Sequence, residues 1–292
     1  MSISSSLLPS AVTSHVSAWL AEDIPSLDNA GAVVGEKLSE ATLYCKARGV
    51  LCGVPFVNEV FRQLACSVEW HATEGALLEP AAGQKIAVAT VRGAVNRLLQ
   101  GERTALNLMA RAAGIATKAR EAVLIGERKG WTGRVAGTRK TTPGFRIVEK
   151  YALLVGGCDP HRMDLSSMIM LKDNHVNSAG NITLAVQRAK RVGGFALKIE
   201  VETSSLADAL EACRAGADVV MLDNYTPTAL QEVAAQIRAD PSGRAVLLEA
   251  SGGITLAILE QYMCNEIDVI SLGSLTQGVP HVDFSLKIAK SH

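Results

Sequence analysis

The chain has 292 residues, 48% of them apolar and 20% charged. At that length roughly three quarters of the unfolded surface can be buried, enough for one large domain or one plus a smaller one. Lysine plus arginine and aspartate plus glutamate both number 29, which excludes a bulk charge aimed at nucleic acid or an anionic membrane and requires any positive field to be local.

The six cysteines form no Cys-x-x-Cys pair and no zinc-type spacing, so reduced, buried thiols are expected. Met1 to Ser10 lacks a basic stretch followed by an apolar core, and no apolar run is long enough to span a bilayer. An unprocessed cytoplasmic protein is the expectation, with a nuclear pool left open.

The first third reads as a small α+β unit. Helices are predicted around Val16 to Ala21 and Gly35 to Cys45, and strands at Val50 to Gly53, Cys66 to His71 and Lys85 to Val91, separated by glycine turns. A long helix is predicted from Ala94. Its apolar stripe is Val95, Leu98, Leu99, Leu106 and Met109, which leaves Arg103 on the opposite face with Asn96, Gln100, Asn107 and Arg111.

From Thr132 onward, short apolar runs alternate with helical stretches. The runs are Gly133 to Gly137, Ser167 to Leu171, Ala196 to Val201, Ala217 to Leu222, Ala245 to Leu248 and Ile267 to Ser271. Their starts are 34, 29, 21, 28 and 22 residues apart, the length of a strand, a helix and two loops, so a parallel α/β sheet follows. Six strands can be counted; an α/β barrel and a doubly wound open sheet both accommodate them.

Just past these runs lie Arg139 and Lys140, then Lys172, Glu202, Asp223, the triplet Ser251, Gly252 and Gly253, and last Gly273 with Ser274. In a barrel the strand ends on one face converge, so these residues would line one mouth. An isolated Arg-Lys pair is usually only solvated. Here His161, Arg162 and Lys172 join it, and like charges gathered at one mouth repel unless anions fill it. Arg suits a planar carboxylate, Lys a phosphate. Glu202 and Asp223 could ligate Mg²⁺, hold sugar hydroxyls, or simply pair with Lys140, Lys172 or Lys198. Glycines after the last strands let the backbone approach a phosphate. Together they describe a sugar phosphate meeting an anionic acceptor.

The stretches Gly101-Glu-Arg-Thr-Ala-Leu-Asn107, Ala136-Gly-Thr-Arg-Lys-Thr-Thr-Pro-Gly144, Glu149-Lys-Tyr151, Gly156-Gly157 with His161-Arg162, Leu171-Lys-Asp-Asn-His175, Lys198-Ile-Glu-Val-Glu202, Leu222-Asp-Asn224 and Glu249-Ala-Ser-Gly-Gly253 resemble the quinolinate phosphoribosyltransferase family. The resemblance runs through nearly the whole chain. It implies a small N-terminal α+β domain over residues 1–112, with 279–292 packing back on it, and an incomplete, open, seven-stranded α/β barrel over 113–278. It implies transfer of phosphoribosyl from phosphoribosyl pyrophosphate to quinolinate with decarboxylation, giving nicotinate mononucleotide, pyrophosphate and CO₂ in NAD biosynthesis.

Carried over residue by residue, the resemblance gives Arg103, Arg139, Lys140, His161, Arg162 and Lys172 to quinolinate. Lys140, Lys172, Glu202, Asp223, Ser251, Gly252, Gly253, Gly273 and Ser274 fall to phosphoribosyl pyrophosphate, with Mg²⁺ at Glu202 and Asp223, directly or through substrate. It implies a homodimer with a shared site, into which Arg103 of one chain reaches, and leaves dimer or hexamer open. Two readings from other classes are a Schiff-base aldolase or decarboxylase using Lys140 or Lys172, and a catalytically silent metabolite sensor on the same scaffold.

Overall fold

The structure, a computed structural model, describes residues 3–289. The chain folds into two compact units: one takes the chain through Arg120, together with Gly144–Gly157 and the residues from Val279 on, and the other takes Glu121–Pro143 and Cys158–Gly278. The first break between the units falls after Arg120, eight residues past the sequence-based division at 112, and the helical segment 144–157 joins the first unit. Of the returning segment 279–292, the last three residues lie outside the described ones.

The first unit opens with α1 (Pro9–Asp23), which starts on a proline and buries Val12, Val16 and Leu20, one side chain per turn. Asp28 caps α2 (Asn29–Val34) by accepting the Gly31 N–H at 2.8 Å. Next comes β1 (Leu38–Cys45), where the sequence predicts a helix. Ala41, Leu43 and Cys45 are buried at alternate positions, a period of two that fits a strand, and the strand's partners lie far away in sequence.

The expected strand over Val50 to Gly53 is likewise cut short. Only β2 (Gly49–Val50) is extended, and α3 (Val54–Gln63) follows at once, with Pro55 in its first turn and the Glu74 carboxylate accepting N–H bonds from Gly53 and Val54 at 2.9 and 3.3 Å. The helix buries Phe56, Val57, Val60 and Phe61. The strands β3 (Ser67–Trp70), β4 (Leu77–Leu78) and β5 (Ile86–Ala94) lead into α4 (Val95–Lys129), a 35-residue helix. Of its predicted apolar stripe, Leu98, Leu106 and Met109 are buried but Leu99 is exposed.

The alternating region follows: β6 (Arg134–Ala136), α5 (Arg146–Gly156), β7 (Ile169–Leu171), α6 (Asp173–Ala179), α7 (Ile182–Gly193), β8 (Ile199–Thr203), α8 (Leu206–Ala215), β9 (Val219–Asp223), α9 (Pro227–Ala239), β10 (Leu247–Ser251), α10 (Leu259–Tyr262) and β11 (Val269–Ser271), before β12 (Phe284–Ile288). Each predicted run contains one of β6 to β11 or overlaps it. The helix α5 belongs to the first unit, where Gly156 lies so close to α4 that a Cβ there would fall 2.5 Å from the Ala116 carbonyl oxygen.

In the first unit the sheet order is β12-β1-β5-β3, all antiparallel, beside the small β2-β4 pair. In the second unit six parallel strands run β6-β11-β10-β9-β8-β7. The seventh strand implied by the resemblance is reduced to one parallel bridge, Ala136 to Asp159. Pro160 then has no N–H to extend a ladder and His161 turns left-handed, at φ 58°, so pairing stops. The barrel stays open. Among the described residues no helix is long and apolar enough to cross a membrane.

Candidate active site

Strand alternation builds the site. On β7 to β11 every second side chain faces the interior, so each strand supplies a deep residue and, two positions on, a rim residue. The deep set is Met170, Glu200, Met221, Glu249 and Ser271; the rim set is Lys172, Glu202, Asp223, Ser251 and Gly273. The rows are level between β7 and β8 and between β9 and β10, where Met170 pairs with Glu200, Met221 with Glu249 and Asp223 with Ser251, and they step by two residues between β8 and β9, where Glu202 of the rim pairs with Met221 of the deep set.

A cavity of about 490 Å³ opens at these strand ends. Of the predicted site residues, Arg139, Lys140, His161, Arg162, Lys172, Glu202, Asp223, Ser251, Gly252 and Gly253 all line it. Three do not. Arg103 is exposed on α4 in the first unit, while Gly273 and Ser274 lie beyond the lining. Gly273 nonetheless adjoins it, since a Cβ there would lie 2.9 Å from Cδ of Lys140.

One end of the cavity is cationic. Arg139 lines the cavity and has its Nε buried with no protein acceptor, a donor left unsatisfied by the protein. Arg162 donates to the Met168 carbonyl at 3.3 Å, and burial first, then the charge of Arg139, pull its pKa below the usual value. Two crowded guanidiniums of this kind are best relieved by a carboxylate.

Lys172 pairs with Glu202, the plain ion-pair reading of that carboxylate. No ion pair to Asp223 is found among the described residues; it accepts from Asn224 at 2.5 Å instead. Burial, then the negative charge of Glu202, push the Asp223 carboxyl up, while Lys172 and Lys140 pull it down. Glu202 and Asp223 offer hard carboxylate oxygens of the kind that would hold a magnesium ion.

Another part of the lining is backbone. Gly252 and Gly253 have φ of 102° and 63°, conformations that other residues rarely adopt, and a Cβ on Gly252 would lie 2.3 Å from Oδ1 of Asn224. Asn224, itself left-handed at φ 62°, donates its N–H to the Ser251 carbonyl at 2.9 Å. Ser271 donates to the Ser251 hydroxyl at 3.0 Å. Such a turn presents backbone N–H groups where a phosphate can sit.

Beneath the rim lie residues that the sequence marks only as parts of longer motifs. Glu200 is fully buried with neither oxygen hydrogen-bonded to a donor, and burial, followed by the charge of Glu249, pushes its carboxyl well up. Glu249 accepts from His161 Nε2 at 3.0 Å. The resemblance gives His161 a direct substrate contact, yet both ring nitrogens are engaged here, because Nδ1 accepts the Arg162 N–H at 2.8 Å. A signal for the deep row is present in the sequence: each member precedes a rim residue by two positions on a strand. Thr138 and Asn224 complete the lining and carry no separate signal.

Residues 27–113 match the profile of the quinolinate phosphoribosyl transferase N-terminal domain, and residues 115–287 match that of its C-terminal domain. The chain is 51% identical to the nicotinate-nucleotide pyrophosphorylase [carboxylating] of Rattus norvegicus over 97% of its own length and 92% of the relative's. With the enzyme of the same name from Dictyostelium discoideum it shares 48% identity over 98% and 99% of the two chains. The solved nicotinate-nucleotide pyrophosphorylase of Francisella tularensis superposes with a TM-score of 0.88 at 30% identity, covering 97% of this chain and 98% of that one. With both domain profiles matched in order and a cavity that joins paired arginines to a glycine turn, the chain belongs to the quinolinate phosphoribosyltransferase family.

Proposed function

We propose that this chain transfers the phosphoribosyl group of phosphoribosyl pyrophosphate to quinolinate, releasing pyrophosphate and CO₂ and forming nicotinate mononucleotide for NAD biosynthesis. The observation that carries this reading is the make-up of one cavity: crowded arginines, carboxylates at the rim and a left-handed glycine turn in a single lining.

Arg139 and Arg162 hold the two carboxylates of the acid, with Arg103 of a partner subunit completing the cationic end in a homodimer. Ser251, Gly252 and Gly253, with Gly273 and Ser274 beside them, take the 5′-phosphate. Glu202 and Asp223 hold ribose hydroxyls and the magnesium ion, which when bound neutralises pyrophosphate oxygens. Lys140 and Lys172 add charge to that leaving group.

The ring nitrogen of quinolinate forms a bond to the anomeric carbon as the bond to pyrophosphate breaks, and positive charge developing on the ribose is stabilised by Glu202 and Asp223. The carboxylate beside the cationic nitrogen then leaves as CO₂; its bonding electrons stay on the ring carbon, which takes up a proton. The chain's own task is to position and neutralise, so no covalent nucleophile is needed. Lys140 and Lys172 are exposed, unlike a Schiff-base lysine desolvated in an apolar pocket. A cytoplasmic setting accompanies this reading.

The test incubates the protein with quinolinate, phosphoribosyl pyrophosphate and Mg²⁺, with nicotinate in a parallel tube. Nicotinate mononucleotide and CO₂ from quinolinate alone are expected. Product from nicotinate alone would overturn the carboxylate assignments, and no product in either tube would overturn the reaction.

A further inference from the structure

The loop that delivers Arg162 is held in an unusual way. His161 occupies the left-handed region at φ 58°, a conformation that a residue with a Cβ adopts only when its surroundings hold it there. Its ring is nine-tenths buried and engaged at both ends. At Nδ1 it accepts the N–H of Arg162 at 2.8 Å. An accepting Nδ1 carries no proton, so the ring proton sits on Nε2, which points at Glu249, 3.0 Å and 3.3 Å from its two oxygens. The nearer oxygen of Glu200 lies 3.8 Å from the same Nε2.

These bonds form one chain, from the middle of β10 through the imidazole to the backbone of Arg162. The Arg162 guanidinium is in turn steadied by the Met168 carbonyl. No ring nitrogen of His161 is left over for a ligand.

We propose that His161 and Glu249 are positioning residues: Glu249 fixes the Nε2–H tautomer of His161, His161 fixes the backbone of Arg162, and Arg162 alone of the three touches the substrate's carboxylate. This rests on the transferase reading for the identity of the acid. The tautomer lock itself does not, because it is made entirely of this chain's own groups.

The lock is read by long-range ¹H–¹⁵N NMR of the full chain with labelled histidine. His161 is expected as the Nε2–H tautomer at neutral pH, with nitrogen shifts that stay within ordinary scatter when saturating quinolinate is added. A protonated ring, an Nδ1–H tautomer, or a large shift of either nitrogen on adding quinolinate would overturn the proposal. A divalent metal that shifts the His161 ring nitrogens when added to the chain would overturn it too, by placing a cation among His161, Glu200 and Glu249 in place of the proton.

Kinetics supply the second arm. Glu249→Ala is expected to raise KM for quinolinate at least tenfold and KM for phosphoribosyl pyrophosphate less than threefold. Glu249→Gln, which keeps an acceptor for Nε2–H, should recover most of that loss. Equal rises in both KM values, or a Gln variant as impaired as the Ala variant, would show that Glu249 only supports the fold. If Glu249→Ala fails to fold, the wild-type NMR result and the Gln variant still decide the matter. If quinolinate fails to bind the wild type, the transferase reading fails, and the tautomer in the free chain still tests the lock.

Discussion

Lys172 and Glu202, at the ends of the neighbouring parallel strands β7 and β8, are ion-paired in the cavity wall, with the lysine side chain 46% exposed and the glutamate 19%. An incoming anion therefore has to share Lys172 with Glu202. An exposed pair of this kind is worth about 1 kcal/mol at most, so releasing the lysine should tighten anion binding by up to roughly fivefold. Glu202→Gln is expected to bind pyrophosphate more tightly than wild type in magnesium-free buffer, by isothermal titration calorimetry. With magnesium present its turnover should fall at least tenfold, because the variant lacks a charge that the ribose and the ion need. Weaker pyrophosphate binding in magnesium-free buffer would show that the ion pair does not compete with the ligand.

Arg139 offers the sharpest test of the acid-reading end, because its Nε is buried without an acceptor. A charge-assisted hydrogen bond contributes about 1.5 to 3 kcal/mol, so Arg139→Ala should raise KM for quinolinate roughly ten- to hundredfold. Arg139→Lys should not restore it, since an ammonium cannot reproduce the planar fork. Steady-state kinetics with each substrate varied in turn would check this. An unchanged KM for quinolinate in the Ala variant removes Arg139 from the site.

Two adjacent glycines should respond differently to the same substitution. At Gly252 a methyl group would meet Oδ1 of Asn224 at 2.3 Å, whereas at Gly253 nothing lies within 4 Å. Both have positive φ, so both substitutions carry a backbone cost of about 1 kcal/mol. Only Gly252→Ala must also displace Asn224 and the turn. It should raise KM for phosphoribosyl pyrophosphate at least tenfold, against less than tenfold for Gly253→Ala, with binding of quinolinate alone within twofold of wild type in both. Equal effects at the two positions would mean that the turn does not touch the phosphate.

Much of the catalytic unit is legible in the sequence because its signals are local. Each of the runs from Gly133 to Ser271 is short, apolar and followed by a charged or glycine residue, and β6 to β11 fall on them. The features that escape the sequence depend on distant partners. Leu38 to Cys45 is ambiguous alone and suggests a helix; only β5 and β12, far along the chain, make it the strand β1. Glu200 and Glu249 stand inside family motifs, but their role depends on His161, 39 and 88 residues away, folding back as a left-handed turn. The helical period places Arg103 on an exposed face, as the structure does, and no periodicity within one chain can say what a second chain does with it.

If Arg103 serves a partner's cavity, a chain carrying Arg103→Ala and a chain carrying Lys140→Ala are each impaired, and mixed dimers contain one site with both residues intact. Mixing the two after reversible dissociation should restore up to about one quarter of wild-type activity per site, the share expected when half the dimers are mixed and each has one good site. Recovery no greater than the sum of the separate variants would assign Arg103 to its own chain or to no site.

A buried ion pair contributes to stability in the first unit. Glu149 on α5 is fully buried and accepts two hydrogen bonds from Arg111 on α4, at 2.9 and 3.2 Å. The guanidinium is itself only 18% exposed, so removing the carboxylate leaves a largely buried cation with a lost partner. Breaking a buried pair in this way costs about 3 to 5 kcal/mol, a large share of the stability of an ordinary domain. Glu149→Ala should therefore lower the urea midpoint markedly. Replacing both residues, as Arg111→Met with Glu149→Leu, should cost less than Glu149→Ala alone, because no charge is stranded. A double variant less stable than the single one would mean that the pair contributes more than the cost of desolvating it, the opposite of the balance expected for buried ions.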